Sequence, residues 1–174
     1  MLKPDNEKID VPVGGEAFVY NSLAAISVGK LLNIPLAEIK EGIKKFELSK
    51  MRLDIQKTEQ GYTIINDCYN ANYDSMKSAI EYLKNIEGKR KIAVLGDMLE
   101  LGEKEREYHY EVGKFIAGTQ VDEVAAYGEL SEEILKGVED NNERIVVKHF
   151  ESRDALKDYL LTYVHPDDVL LLKA

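Results

Sequence analysis

The chain has 174 residues, 44% of them hydrophobic, with 32 acidic against 23 basic side chains and a net charge of −9. That size suits one domain, or one domain and a piece of another, and no apolar run approaches the ~18–20 residues that cross a bilayer. The acidic balance disfavours nucleic acid as a partner, and a single cysteine, Cys68, leaves no internal disulfide and no cysteine-based zinc site.

The first ten residues, MLKPDNEKID, lack the apolar stretch of a secretory leader. With the lone cysteine, this favours a reducing, cytoplasmic home. Residues 21–32 place Ala24, Ala25, Val28, Leu31 and Leu32 on one helical face, with Asn21 as an N-cap and Asn33 closing the helix. After Pro35, Leu36, Ile39, Ile43 and Phe46 predict a second amphipathic helix. Residues 1–48 therefore read as a lead-in and a helical pair, too little to stand as a domain. Such a pair needs the rest of the chain, or something beyond it, to cover its apolar face.

From Arg52 the period shortens. Leu53 and Ile55, a turn at Gly61 and then Tyr62-Thr63-Ile64-Ile65 predict a hairpin-like entry into a sheet. Helix and strand then alternate. Met76, Ala79, Ile80 and Leu83 mark a helix, Ile92 to Leu95 a buried strand, and Tyr108, Val112, Phe115 and Ile116 a helix. Val121–Tyr127 (strand), Leu130–Val138 (helix), Ile145–Val147 (strand), Ala155–Tyr163 (helix) and Val169–Leu172 (strand) complete the series. This βαβα order predicts an α/β class, a Rossmann-like, doubly wound and mostly parallel sheet. No internal repeat or low-complexity tract interrupts it. The last strand ends at Leu172-Lys173-Ala174, which reads as a domain cut short.

The chemistry-bearing residues gather where strands end. No G-x-x-x-x-G-K-[ST] and no G-x-G-x-x-G occurs, so neither common phosphate-cradling loop is present. His109, His149 and His165 are isolated and read as surface or helix-end residues rather than metal ligands. In Asp67-Cys68-Tyr69-Asn70-Ala71-Asn72, Asp67 follows Ile64-Ile65-Asn66 and suits a ribose diol, or simply a turn. Tyr69 is placed to stack on a base or to fill a crevice, and Asn70 and Asn72 are open to local roles, Asn72 as the cap of the helix near Asp74. In Leu95-Gly96-Asp97-Met98-Leu99-Glu100-Leu101-Gly102, the carboxylates Asp97 and Glu100 suit a cationic amine, against a purely structural loop. Arg52, at the junction of helices and sheet, suits a phosphate or a purine face, against an ordinary solvated hinge.

Taken together these segments resemble the Mur ligases. The pieces lie in the family's order over nearly the whole chain: Gly15–Ala25 (GEAFVYNSLAA), Arg52, Asp67–Ser75 (DCYNANYDS), Val94–Gly102 (VLGDMLELG), His109 and Asp168–Lys173 (DVLLLK). The Asp-x-Tyr-x-x-Asn string is shared with folylpolyglutamate synthases, whereas Leu-Gly-Asp-Met-x-Glu-Leu-Gly is that of the members that add D-alanyl-D-alanine. The resemblance implies an ATP-dependent amide ligase acting on a UDP-MurNAc-tripeptide in peptidoglycan precursor synthesis, through an acyl phosphate and with Mg²⁺. It implies three domains, of which this chain carries the last helices of the central ATPase domain (1–48) and a Rossmann-like C-terminal domain (49–174) without its final helix. It assigns Asn21, Arg52 and Asp67 to the nucleotide, Tyr69, Asn70 and Asn72 to the interdomain site, and Asp97 and Glu100 to the incoming dipeptide. The chain is expected to be a monomer that inserts into no membrane.

Ala17 stands where the family usually has histidine, Met51 where it has glycine and Tyr73 where it has proline. The P-loop, the Mg²⁺ ligands and the family's central-domain lysine have no counterpart in the sequence, so the chain alone is expected to hold no ATP or Mg²⁺ and to be inactive. Two other readings remain: a fragment of a folylpolyglutamate synthase-like ligase, and a non-catalytic Rossmann-like binding module.

Overall fold

A computed structural model describes residues 7–47 and 49–174, and the chain divides into two compact units, Met1–Ser49 and Lys50–Ala174. In the first, α1 (Glu16–Leu31) and α2 (Leu36–Lys44) form a helical pair. Nothing between Glu16 and Leu31 breaks a helix, so α1 begins five residues before the cap expected at Asn21, with Gly15 at the N-cap position. Asn21 lies inside the helix, not at its start. The predicted stop at Asn33 does occur: Asn33 takes φ 59°, and the N–H groups of Asn33 and Ile34 close on the carbonyls of Lys30 and Gly29. Ile39 and Ile43 of α2 are buried one turn apart, and Gly29 of α1 lies so close that a Cβ there would sit 2.7 Å from the Ile39 Cδ1. By contrast Val19, Tyr20, Leu23, Val28, Leu31 and Leu32 are exposed, so α1 is apolar on most of its circumference.

The second unit holds a six-stranded sheet, built from β1 (Asp54–Lys57), β2 (Thr63–Asn66), β3 (Lys91–Gly96), β4 (Glu123–Tyr127), β5 (Val146–Phe150) and β6 (Val169–Lys173) in the order β1-β2-β6-β3-β4-β5. β1 pairs antiparallel with β2 around the turn at Gly61, and every other neighbour is parallel. The helices α3 (Tyr73–Asn85), α4 (Glu105–Ala117), α5 (Ser131–Glu139) and α6 (Arg153–Tyr163) make the connections. Successive strand residues point to opposite faces, so each face has its own core. Ile65, Ala93, Leu95, Val124 and Ala126 pack with Met76, Ile80 and Leu83 of α3, Val112 and Ile116 of α4 and Ile134 of α5. Ile92, Val94, Ala125 and Leu170 pack with Leu156 of α6.

The α/β, mostly parallel reading holds, with shifts of boundary. β4 starts at Glu123 rather than Val121. β5 runs on through Lys148 and His149 to Phe150, because an edge strand tolerates polar side chains that blur its apolar signature. α6 starts at Arg153, where the Ser152 hydroxyl accepts the Ala155 N–H at 3.1 Å.

Candidate functional site

Parallel pairing brings the carboxyl ends of β2, β6, β3, β4 and β5 to one edge of the sheet, the edge at which open α/β sheets bind ligands. Most of the expected site residues lie there. β6 separates β2 from β3, so the segments that follow those strands emerge roughly 10 Å apart at ordinary strand spacing.

The segment after β2 is organised by Lys173. That side chain is buried, and its Nζ lies 2.7 Å from the Asp67 Oδ2 and donates to the Asn70 carbonyl at 2.6 Å. Asp67 Oδ1 accepts the Leu53 N–H at 3.0 Å, and the Tyr69 N–H reaches the Met51 carbonyl at 3.0 Å. These bonds lock the residues before β1 onto the residues after β2. Met51 and Leu53 adopt φ 62° and 44° in the process, a left-handed backbone in which glycine would sit without strain. The lock sets the Arg52 guanidinium over the Tyr69 ring, 4.1 Å from its centroid, with both residues exposed. The pair forms a flat cationic and aromatic surface beside a carboxylate.

Asn72 does what a cap does. Its Oδ1 accepts the Ser75 N–H at 2.9 Å while the Ser75 hydroxyl accepts the Asn72 N–H at 3.0 Å, a complete capping box at the start of α3. Of the two neighbours, Asn70 is exposed and Cys68 half-buried; burial pushes the Cys68 thiol up, away from reactive thiolate.

After β3 the loop Asp97–Gly102 is held from two sides. Asp97 Oδ1 accepts the Ser131 N–H at the start of α5 at 2.7 Å, and the carboxylate fills the space where a Cβ on Gly128, at φ 123°, would lie. The Met98 N–H donates to His109 Nε2 at 2.9 Å. Leu99 and Glu100 project to solvent, Glu100 at φ 62°. His109 corrects the expectation of a surface or helix-end residue: it is wholly buried, on the inner face of α4. His149 is exposed on β5, its Nε2 2.9 Å from the Gly128 carbonyl, and His165 precedes β6. A cavity of about 520 Å³, lined by Gly96, Asp97, Tyr127, Gly128, Glu129 and His149 among others, opens at the ends of β3, β4 and β5.

The remaining expected residue, Asn21, is exposed on α1 in the first unit and lines a cavity of about 700 Å³ between α1 and α2. Among the described residues no group of three or more His, Cys, Asp or Glu is placed to hold a metal ion, and the Asp67 carboxylate already faces an ammonium. Lys173 and His109 each hold one segment of the site, and nothing in the sequence marks either for that role. Lys173 ends the DVLLLK string and His109 follows VLGDMLELG, but their partners, Asn70 and Met98, become visible only in the folded chain.

The fold and this edge define a class, a Rossmann-like α/β domain whose polar residues cluster at the carboxyl ends of parallel strands. The family described as "Mur ligase, glutamate ligase domain" matches residues 51–174, and the chain belongs to that family. It is 36% identical over 165 residues to the UDP-N-acetylmuramoyl-tripeptide–D-alanyl-D-alanine ligase of Bacillus subtilis, a match covering 94% of this chain and 36% of the relative. The ligase of the same name from Buchnera aphidicola subsp. Baizongia pistaciae is 43% identical over 126 residues, 72% of this chain and 27% of the relative. Among solved structures, MurF from Acinetobacter baumannii superposes with a TM-score of 0.82 at 27% identity, over 95% of this chain and 36% of that one. MurF from Thermotoga maritima, solved in complex with ADP, gives 0.74 at 25% identity, over 92% of this chain and 35% of that one. The chain thus spans about a third of the length of the relatives it matches. Among the described residues no helix is long and apolar enough to cross a membrane.

Proposed function

We propose that this chain is the C-terminal part of an ATP-dependent amide ligase that adds D-alanyl-D-alanine to a UDP-MurNAc-tripeptide. The observation that carries the reading is the Arg52, Tyr69, Asp67 and Lys173 constellation at the sheet edge, in a chain 36% identical to a ligase of that name. In such a reaction a carboxylate oxygen takes the γ-phosphoryl group of ATP. The dipeptide nitrogen then attacks the acyl carbon, and phosphate leaves as the C–N bond forms and the amine loses its protons.

This chain's share is binding and orientation. Arg52 offers its guanidinium to the nucleotide. Asp67, with one oxygen on the Leu53 N–H and the other on Lys173, retains acceptor capacity for a ribose diol. Asn21, in the helical unit that we read as the end of the central ATPase domain, is the third nucleotide residue of the reading. Tyr69, Asn70 and Asn72 belong to the interdomain site of the longer ligase, Asn72 also setting the start of α3. Asp97 and Glu100 receive the ammonium of the incoming dipeptide, two strands away from the nucleotide residues. ATP and Mg²⁺ are held chiefly by parts of the longer protein outside this chain, which acts in the cytoplasm as a monomer.

The test uses the protein expressed from its full open reading frame. ADP release is expected to require both UDP-MurNAc-tripeptide and D-Ala-D-Ala, and Arg52→Met to raise the KM for ATP about tenfold, the weight of one charged hydrogen bond. The 174-residue chain alone is expected to release none. Release dependent on a folate and glutamate would establish the folylpolyglutamate synthase-like alternative, and no release with any acceptor would favour a binding module.

A further inference from the structure

The Met98 N–H has no strand partner, because β3 and its ladder with β4 end at Gly96. Met98 is wholly buried, and a buried backbone N–H without an acceptor is costly, so something must meet it. On the inner face of α4, residue 109 stands in line with the buried Val112 and Ile116, and an apolar side chain there would satisfy packing alone. The residue is histidine, and its Nε2 accepts the Met98 N–H at 2.9 Å while its Nδ1 lies 2.6 Å from the Glu105 carbonyl. Those two partners fix the ring. An N–H pointing at Nε2 requires a bare nitrogen there, and a carbonyl facing Nδ1 requires the proton there, so the imidazole is neutral in one tautomer.

We propose that His109 is a positioning residue for the amine donor: it holds the Asp97–Gly102 loop through the Met98 backbone, so that Asp97 and Glu100 meet the incoming ammonium in one fixed arrangement. The inference rests on the reading of that loop as the donor site. The Ser131 N–H fixes the Asp97 side chain and His109 fixes the next backbone unit, so the turn is pinned at two successive residues before Leu99 and Glu100 run out into solvent.

Two substitutions separate this role from packing. His109→Asn keeps a donor for the Glu105 carbonyl, the bond that Asn85 and Asn141 make to the carbonyls of Glu81 and Gly137 elsewhere in this chain, but withdraws the acceptor from Met98. His109→Gln extends an amide oxygen about as far as Nε2 and restores it. In the full-length protein, His109→Asn is expected to raise the KM for D-Ala-D-Ala about tenfold with the KM for ATP unchanged, and His109→Gln to recover most of the loss. A side chain that only filled the core would change stability without a donor-selective KM. Asp97→Asn, which can still accept the Ser131 N–H, reports on the underlying reading. If Asp97→Asn raises the donor KM and His109→Asn does not, the positioning role is overturned and the donor site stands. If neither does, the donor site itself fails and the role with it. A third measurement needs no variant: in the ¹⁵N-labelled chain, His109 is expected to carry its proton on Nδ1 and the Met98 amide to exchange as slowly as the strand amides. A protonated Nε2, or a fast-exchanging Met98 amide, overturns the proposal.

Discussion

Asp168 is 1% exposed, a carboxylate that burial alone would push up towards its neutral form. Arg90 and the His165 N–H reverse that. The Arg90 Nε meets Asp168 Oδ1 at 3.0 Å, a second guanidinium nitrogen meets Oδ2 at 2.5 Å, and the His165 N–H adds a bond at 2.8 Å. The net effect holds Asp168 below the usual carboxylate range, and the same contact raises the Arg90 guanidinium. A carboxylate depressed in the folded state contributes stability that is fully present above its unfolded pKa, about 3.9, and is lost as the pH falls through the folded value. Arg90→Met is therefore expected to lose about 3 kcal/mol near neutral pH, because the carboxylate is left buried without its cation. It is also expected to flatten the acid limb of stability below about pH 4, where the wild-type chain loses what the mutant no longer has. Urea titrations of both proteins across the acid range test the two effects together. This pair lies where β3 and β6 begin, at the opposite end of those strands from the candidate site, so it anchors the sheet without touching the proposed chemistry.

Between elements, α4 and α5 approach closely at two glycines. A Cβ on Gly113 would fall 1.9 Å from the Ile134 carbonyl oxygen, and one on Gly137 would fall 2.2 Å from that of Tyr110. Both obstacles are backbone, so neither can swing aside, and Gly113→Ala is expected to cost about 3 kcal/mol by forcing the helices apart. Equilibrium urea unfolding followed by helical circular dichroism tests this, and a Gly113→Ala variant as stable as wild type would mean the helices do not touch there. From sequence those glycines look like helix penalties, since propensity records their entropy and not the close contact they permit. The same limit governs what else was legible. Periodicity found α3, α4 and the buried β3 because apolar residues recur there on one face. It placed α1 late because Asn21 is a good cap residue type, while the uninterrupted run from Glu16 determined the helix. Asp67, Tyr69 and Arg52 stood out by residue type at a strand end. What joins them, the Lys173 bond to Asn70 across 103 residues of sequence, is a product of β6 lying beside β2 and has no local signature.

At the scale of the whole chain, the two units differ in what they bury. Both apolar clusters of the sheet domain, the one under α3, α4 and α5 and the one under α6, draw every member from Leu53 onward. The helical unit buries Gly29, Ile39 and Ile43 while Val19, Tyr20, Leu23, Leu31 and Leu32 stay exposed. A fully buried Leu or Ile is worth about 1.5–3 kcal/mol, so Ile39 and Ile43, the large apolar side chains buried among the described residues of the helical unit, supply a small fraction of the hydrophobic stabilisation available to the sheet domain. The sheet domain, with Ile65, Ile80, Leu83, Ile92, Leu95, Ile116, Ile134 and Leu171 all essentially inaccessible, has a core of the size that sustains a domain. Residues 50–174 are accordingly expected to fold alone with one cooperative urea transition and a dispersed amide spectrum, and residues 1–49 alone to give neither. If the shorter sheet chain were to bind a fluorescent apolar dye and lose its cooperative transition, its own core would not sustain it and the prediction would fail. The same experiment bears on function. A sheet domain that folds without the helices keeps Arg52, Asp67, Asp97, Glu100 and His109 in one body, so slow exchange of the Met98 amide is expected to persist in it unchanged.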